Sequence, residues 1–79
     1  MAPEEEQVTV EQTKKIIDVV GVSDQSIAIA VGNAIAKAAQ TVRNLEWFEV
    51  DRIQGRIENS RPLFQVTVRI GFQVENEPV

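Results

Sequence analysis

The chain predicts an α+β subunit of order β-α-β-β, and three observations lead there. Residues 64–74 alternate strictly. The even positions Phe64, Val66, Val68, Ile70, Phe72 and Val74 are apolar, and the odd ones are Gln65, Thr67, Arg69, Gly71 and Gln73. Strand side chains alternate faces, so this is one buried and one polar face. Residues 24–43 follow a capping serine and carry apolar side chains at helical spacing. Two further stretches, 13–20 and 45–58, are rich in β-branched and aromatic residues, and the second leads into 64–74 through a turn.

The elements follow in order. Residues 1–13 hold Pro3, Glu4, Glu5, Glu6 and Glu11 and predict an acidic, mostly mobile arm. Val8-Thr9-Val10 inside it is a candidate short strand. Residues 13–20, with Ile16, Ile17, Val19 and Val20, predict the first strand, ended by Gly21. Ser23 is the expected N-cap, and Asp24 suits the positive end of a helix dipole. The expected helix spans 24–43, with a core stripe of Ile27, Val31, Ala34, Ala38 and Val42. Its other sides hold Ala28, Ile29, Ala30, Gly32, Ile35, Ala36 and Ala39. A helix so apolar all round is expected to have neighbours on more than one side, which points to assembly. Arg43 and Asn44 leave the helix.

Residues 45–58 predict a long strand whose apolar parity changes, from Phe48 and Val50 to Ile53 and Ile57. One inserted residue near Asp51-Arg52, a β-bulge, would keep all four on one face. Gly55 marks a bend or a close backbone approach. Residues 58–62 (Glu-Asn-Ser-Arg-Pro) are the expected turn. Residues 63–74 return, and a frayed tail ends at 77–79. One domain over 14–76 is the expected unit.

Composition narrows the function. Seventy-nine residues make one small domain, which buries only about 60% of its unfolded surface. There is no cysteine to staple it and no histidine to serve as base or metal ligand. Oligomerisation is the remaining source of stability, and 43% hydrophobic content suits it. A net charge of −4 argues against nucleic acid and anionic membranes as partners. No apolar run reaches membrane length and the start is acidic, so a soluble, cytoplasmic protein is expected.

Little catalytic chemistry is available. Ser23, Ser26 and Ser60 lie at a helix start and in a turn, with no histidine to activate them. Glu46, Glu49 and Asp51 are either a cation-binding cluster or a solvated edge. Gly21-Val22-Ser23 before a helix is a weak anion site. Trp47 and Gln65 stand out more, because each occupies the face of its strand opposite the core. An indole offers a flat face for stacking. A glutamine amide, with one acceptor and two donors, can read the edge of a mixed heterocycle. The plain alternative is subunit packing for both.

Four runs carry a resemblance. They are Ile-Ile-Asp-Val-Val-Gly-Val-Ser at 16–23, residues 34–41, Asn-Leu-Glu-Trp-Phe-Glu-Val at 44–50, and Phe-Gln-Val-Thr-Val-Arg-Ile-Gly-Phe at 64–72. Over residues 15–76 the chain closely resembles the dodecin family of flavin-binding subunits. The resemblance implies a three-stranded antiparallel sheet wrapped on one long helix, assembled as a hollow homododecamer. It implies a flavin pair stacked between tryptophans of two subunits, with Trp47 as the stacking residue and Gln65 on the isoalloxazine edge. Val22 stands where the family has threonine before the capping serine, and two further positions depart from the family. Bacterial dodecins commonly carry arginine where this chain has Gln54 and Gln73, and those arginines are associated with the phosphate of flavin mononucleotide (FMN) and with coenzyme A. Their loss weakens the case for both ligands and favours riboflavin, leaving Arg52, Arg56 and Arg69 as substitute cations.

The expected function is therefore a non-catalytic flavin store that quenches flavin photochemistry by stacking on tryptophan. The alternative is a dodecin-like shell with weak or no flavin binding. An enzyme is not expected, since a ring sandwiched between indoles leaves no face for a substrate.

Overall fold

The computed structural model describes residues 11–74. It contains β1 (Lys14–Ser23), α1 (Ile27–Ala39), β2 (Leu45–Glu58) and β3 (Arg61–Gln73). The strands form one antiparallel sheet of order β1-β3-β2, and α1 packs on one face of it. The fold is the expected β-α-β-β subunit. The N-terminal arm up to residue 10, including Val8-Thr9-Val10, and the tail at 77–79 lie outside the described residues.

The core sits between the helix and the central strand. Val66, Val68 and Ile70 of β3 are fully buried, as their alternation predicts. Opposite them lie Ala30, Ala34 and Ala38 of α1, four residues apart along one helical stripe. This corrects the expected stripe: Ile27 is exposed and Ala30 takes its place. The cause is Gly21. A Cβ there would lie 1.8 Å from the Ala30 carbonyl oxygen and 3.1 Å from the Ala34 Cβ. The helix thus rides directly on the backbone of β1, where only glycine and alanine fit. Its larger side chains are turned aside, with Val31 and Ile35 packing at the flanks.

The helix limits also differ from expectation. Gly21 does not end β1, which pairs with β3 through Ser23 opposite Phe64. Ser23 therefore turns the chain instead of capping the helix. Its Oγ accepts hydrogen bonds from the backbone N–H of Gln25 (2.9 Å) and Ser26 (3.4 Å). The N-cap is Ser26, with extended backbone and an Oγ that accepts from Ile29 N–H at 3.0 Å. At the other end Gln40 N–H donates to Lys37 O, the tightened last turn of a closing helix. Asn44 then adopts φ 64° and redirects the chain into β2.

Two bulges shape β2. The register slips between Val50 and Arg52, as the parity change predicts, and again between Leu45 and Trp47. The hairpin is tighter than expected. Only Asn59 (φ 54°) and Ser60 (φ 64°) form the turn, a two-residue connection with both residues left-handed. Pro62 pairs within β3, beyond the end of β1, where that strand has one free edge.

The helix covers β1 and β3 but leaves β2 open. Phe48, Val50, Ile53 and Ile57 face the helix side yet stay exposed, Ile57 by 83%. The expectation that Phe48 and Val50 are core residues fails within the single subunit. One helix, about 10 Å across with its side chains, lies over β1 and β3 and does not also roof β2.

Candidate functional site

The face of the sheet away from α1 carries the chemistry. Its rows follow from strand pairing. Ile16, Gly71 and Trp47 form one row, and Asp18, Arg69 and Glu49 the next. Val20, Thr67 and Arg52 come third, then Val22, Gln65 and Gln54.

Trp47 reaches this face by alternation with Phe48, which pairs with Ile70 on the core side. Leu45 pairs with Phe72 and packs on the core side. Simple alternation back from Trp47 would send Leu45 to the outer face. The extra residue Glu46 reverses the parity, so Leu45 turns inward while Trp47 next to the bulge pairs with Gly71 on the outer face. A Cβ at Gly71 would stand 2.2–2.3 Å from three consecutive atoms of the indole six-membered ring. Near-equal distances to three such atoms place that point on the ring axis. The indole therefore lies face-on against a glycine that leaves room for it. The ring is 38% exposed and offers a flat surface to a stacking partner.

Gln65 lies on the same face but far along the strand. Six residues of β3 separate it from Gly71, about 20 Å at strand rise. That exceeds the length of a three-ring heterocycle. One subunit therefore does not bring the Trp47 and Gln65 side chains to one ring. It does bring Gln54 directly opposite Gln65, a pair of neutral amides. Arg52 and Arg56 flank them along β2. Arg56 is paired with Glu58 at 2.6 Å, and Arg69 with Asp18 at 3.3 Å. Arg52 has no hydrogen bond or ion pair among the described residues.

Gln73 belongs to the tryptophan end. Its Oε1 accepts from Lys14 Nζ at 2.8 Å, and its Nε2 donates to the Val74 carbonyl at 2.9 Å. Lys14 also pairs with Glu46 at 2.6 Å. The sequence assigns Gly71 and Lys14 no role, and reads Glu46 only together with Glu49 and Asp51. A lone glycine on the polar face of a strand was the available sign for the first; Lys14 is 32 residues from Glu46 and left none. Among the described residues no three acidic side chains gather to hold a metal. No described helix is long and apolar enough to cross a membrane.

A family model for dodecin matches residues 13–75. The chain belongs to the dodecin family. A dodecin from Thermus thermophilus is 39% identical over 62 residues, covering 77% of this chain and 90% of the relative. The solved structure of the Streptomyces coelicolor dodecin aligns with a TM-score of 0.82 at 37% identity, covering 87% of this chain and all of that one. A calcium-chelating antigen from Mycobacterium tuberculosis, a calcium dodecin with a calcium-binding site, shares the fold with a TM-score of 0.73 at 19% identity, over 85% of this chain and 99% of that one. Dodecins are small, non-catalytic flavin-binding proteins that self-associate. The open indole face of Trp47 and the amides of Gln65 and Gln54 fit a flat ring with a polar edge.

Proposed function

We propose that this dodecin stores flavin and quenches its photochemistry, with the isoalloxazine stacked on Trp47. The carrying observation is the indole laid face-on against Gly71 with its surface open. Close stacking on an electron-rich ring allows fast electron transfer, which empties the flavin excited state before it generates reactive oxygen. Gln65 reads the ring edge, supported by Gln54 across the strand pair. Because the two ends of the site lie about 20 Å apart along β3, Trp47 and Gln65 act on one flavin from different subunits. The self-association this needs is supported by the uncovered apolar row Phe48, Val50, Ile53 and Ile57. A homododecamer is the assembly we assign.

Riboflavin is the favoured ligand, ahead of FMN and coenzyme A. At the two positions where bacterial dodecins commonly carry arginine, Gln54 is neutral and Gln73 is held by Lys14 and Val74. The test is a titration of the purified protein with riboflavin and FMN side by side, with light scattering on the same sample. Quenched flavin fluorescence, riboflavin bound at least as tightly as FMN, and a mass about twelve times the 8.8 kDa chain are expected. A colourless assembly that leaves riboflavin fluorescence unchanged would make the protein a shell without a flavin role.

A further inference from the structure

The bulge next to Trp47 is tied down by a lysine from the far side of the sheet. β1 and β2 are not neighbours; β3 lies between them. Lys14 of β1 pairs in register with Gln73 of β3 and gives that side chain a hydrogen bond of 2.8 Å. The same ammonium continues across β3 to Glu46 of β2 at 2.6 Å. Glu46 is the inserted residue of the bulge, without a cross-strand partner of its own, and it directly precedes Trp47. A bulged residue leaves the ladder locally open, so its side chain is the handle by which its position can be held. The surrounding backbone closes the same corner. Gln73 N–H donates to Asn44 O at 3.1 Å, and Val74 N–H to Thr13 O at 2.9 Å.

We propose that Lys14 is a positioning residue for Trp47: through Glu46 and Gln73 it holds the bulge beside the indole and so keeps the ring seated on Gly71. The role rests on the flavin reading for its purpose but not for its geometry. It also assigns Gln73 a task, as the middle of the strap rather than a ligand contact.

Trp47 is the only tryptophan in the chain, so its emission reports on this corner alone. The test compares native protein with Lys14→Met, Glu46→Gln and the exchange Lys14→Glu with Glu46→Lys, all as intact assemblies. In ligand-free protein, Lys14→Met should shift Trp47 emission to longer wavelength and lower its anisotropy, and Glu46→Gln should do so more weakly. The exchange should restore both. Riboflavin affinity should fall about two- to fivefold in Lys14→Met, the range of a half-exposed ion pair, and recover in the exchange. Unaltered emission in both single variants overturns the proposal, as does altered emission that the exchange leaves unrestored. If the native protein ignores riboflavin, the flavin reading falls while the emission series still decides the role of Lys14.

Discussion

Gly71→Ala tests the seat of the indole. The new methyl would stand 2.2–2.3 Å from three ring atoms of Trp47. Carbon atoms in ordinary contact sit about 3.5–4.0 Å apart, so the ring must retreat by about 1.4 Å. A tryptophan side chain has two rotatable bonds and this one is at the surface. The ring can swing away, at an overpacking cost of about 1 kcal/mol, the low end of the usual range. The fold and assembly should therefore survive. The stacking geometry should not, and planar stacking on an aromatic is worth about 1–3 kcal/mol per ring. That corresponds to about a five- to hundredfold loss of riboflavin affinity. The assay is a fluorescence titration with riboflavin, paired with the emission spectrum of ligand-free Trp47. Native affinity together with native emission in Gly71→Ala would refute the face-on placement of the indole.

The other predictions address the ring edge, the helix seat and ligand choice. Gln65→Leu removes the amide at similar size and should weaken riboflavin and FMN equally, by about 1–3 kcal/mol; a loss confined to one ligand in parallel titrations would move Gln65 away from the ring edge. Gly21→Ala puts a methyl 1.8 Å from a backbone oxygen that has no side chain to move aside. It should cost about 3 kcal/mol or more, read as a lower denaturation midpoint at fixed protein concentration, and a change below about 0.5 kcal/mol, the scatter of ordinary surface substitutions, would contradict the close packing of α1 on β1. Gln54→Arg with Gln73→Arg should favour FMN selectively, with a gain that shrinks in added salt. A native protein that already prefers FMN in a salt-sensitive way would assign the phosphate to Arg52, the nearby cation without a described partner.

Much of the fold was legible because strands advertise themselves by parity. The buried Val66, Val68 and Ile70 and the bulge at Asp51 both follow from a period of two. The helix was less legible because its packing is decided by β1. Ile27 has the hydrophobicity of a core residue, yet Gly21 draws the helix in until only alanines fit beneath it. Phe48 and Val50 were placed on the correct face, but whether a face is covered depends on helix width, which no strand encodes. The site divides the same way. Trp47 and Gln65 announce themselves by sitting opposite the core, whereas their separation along β3 appears only with the register. Lys14 and Gln73 are 59 positions apart and meet because β1 returns beside β3.

The central claim is that Trp47 holds and quenches flavin, and Trp47→Ala tests it most directly. The measurement is riboflavin binding followed by the fluorescence of the bound ligand, on a sample whose assembly mass is checked by light scattering. The account predicts an intact assembly, affinity weakened by about 1–3 kcal/mol, and restored emission from whatever flavin remains bound. Unchanged affinity with unchanged quenching would contradict it and leave Trp47 as subunit packing.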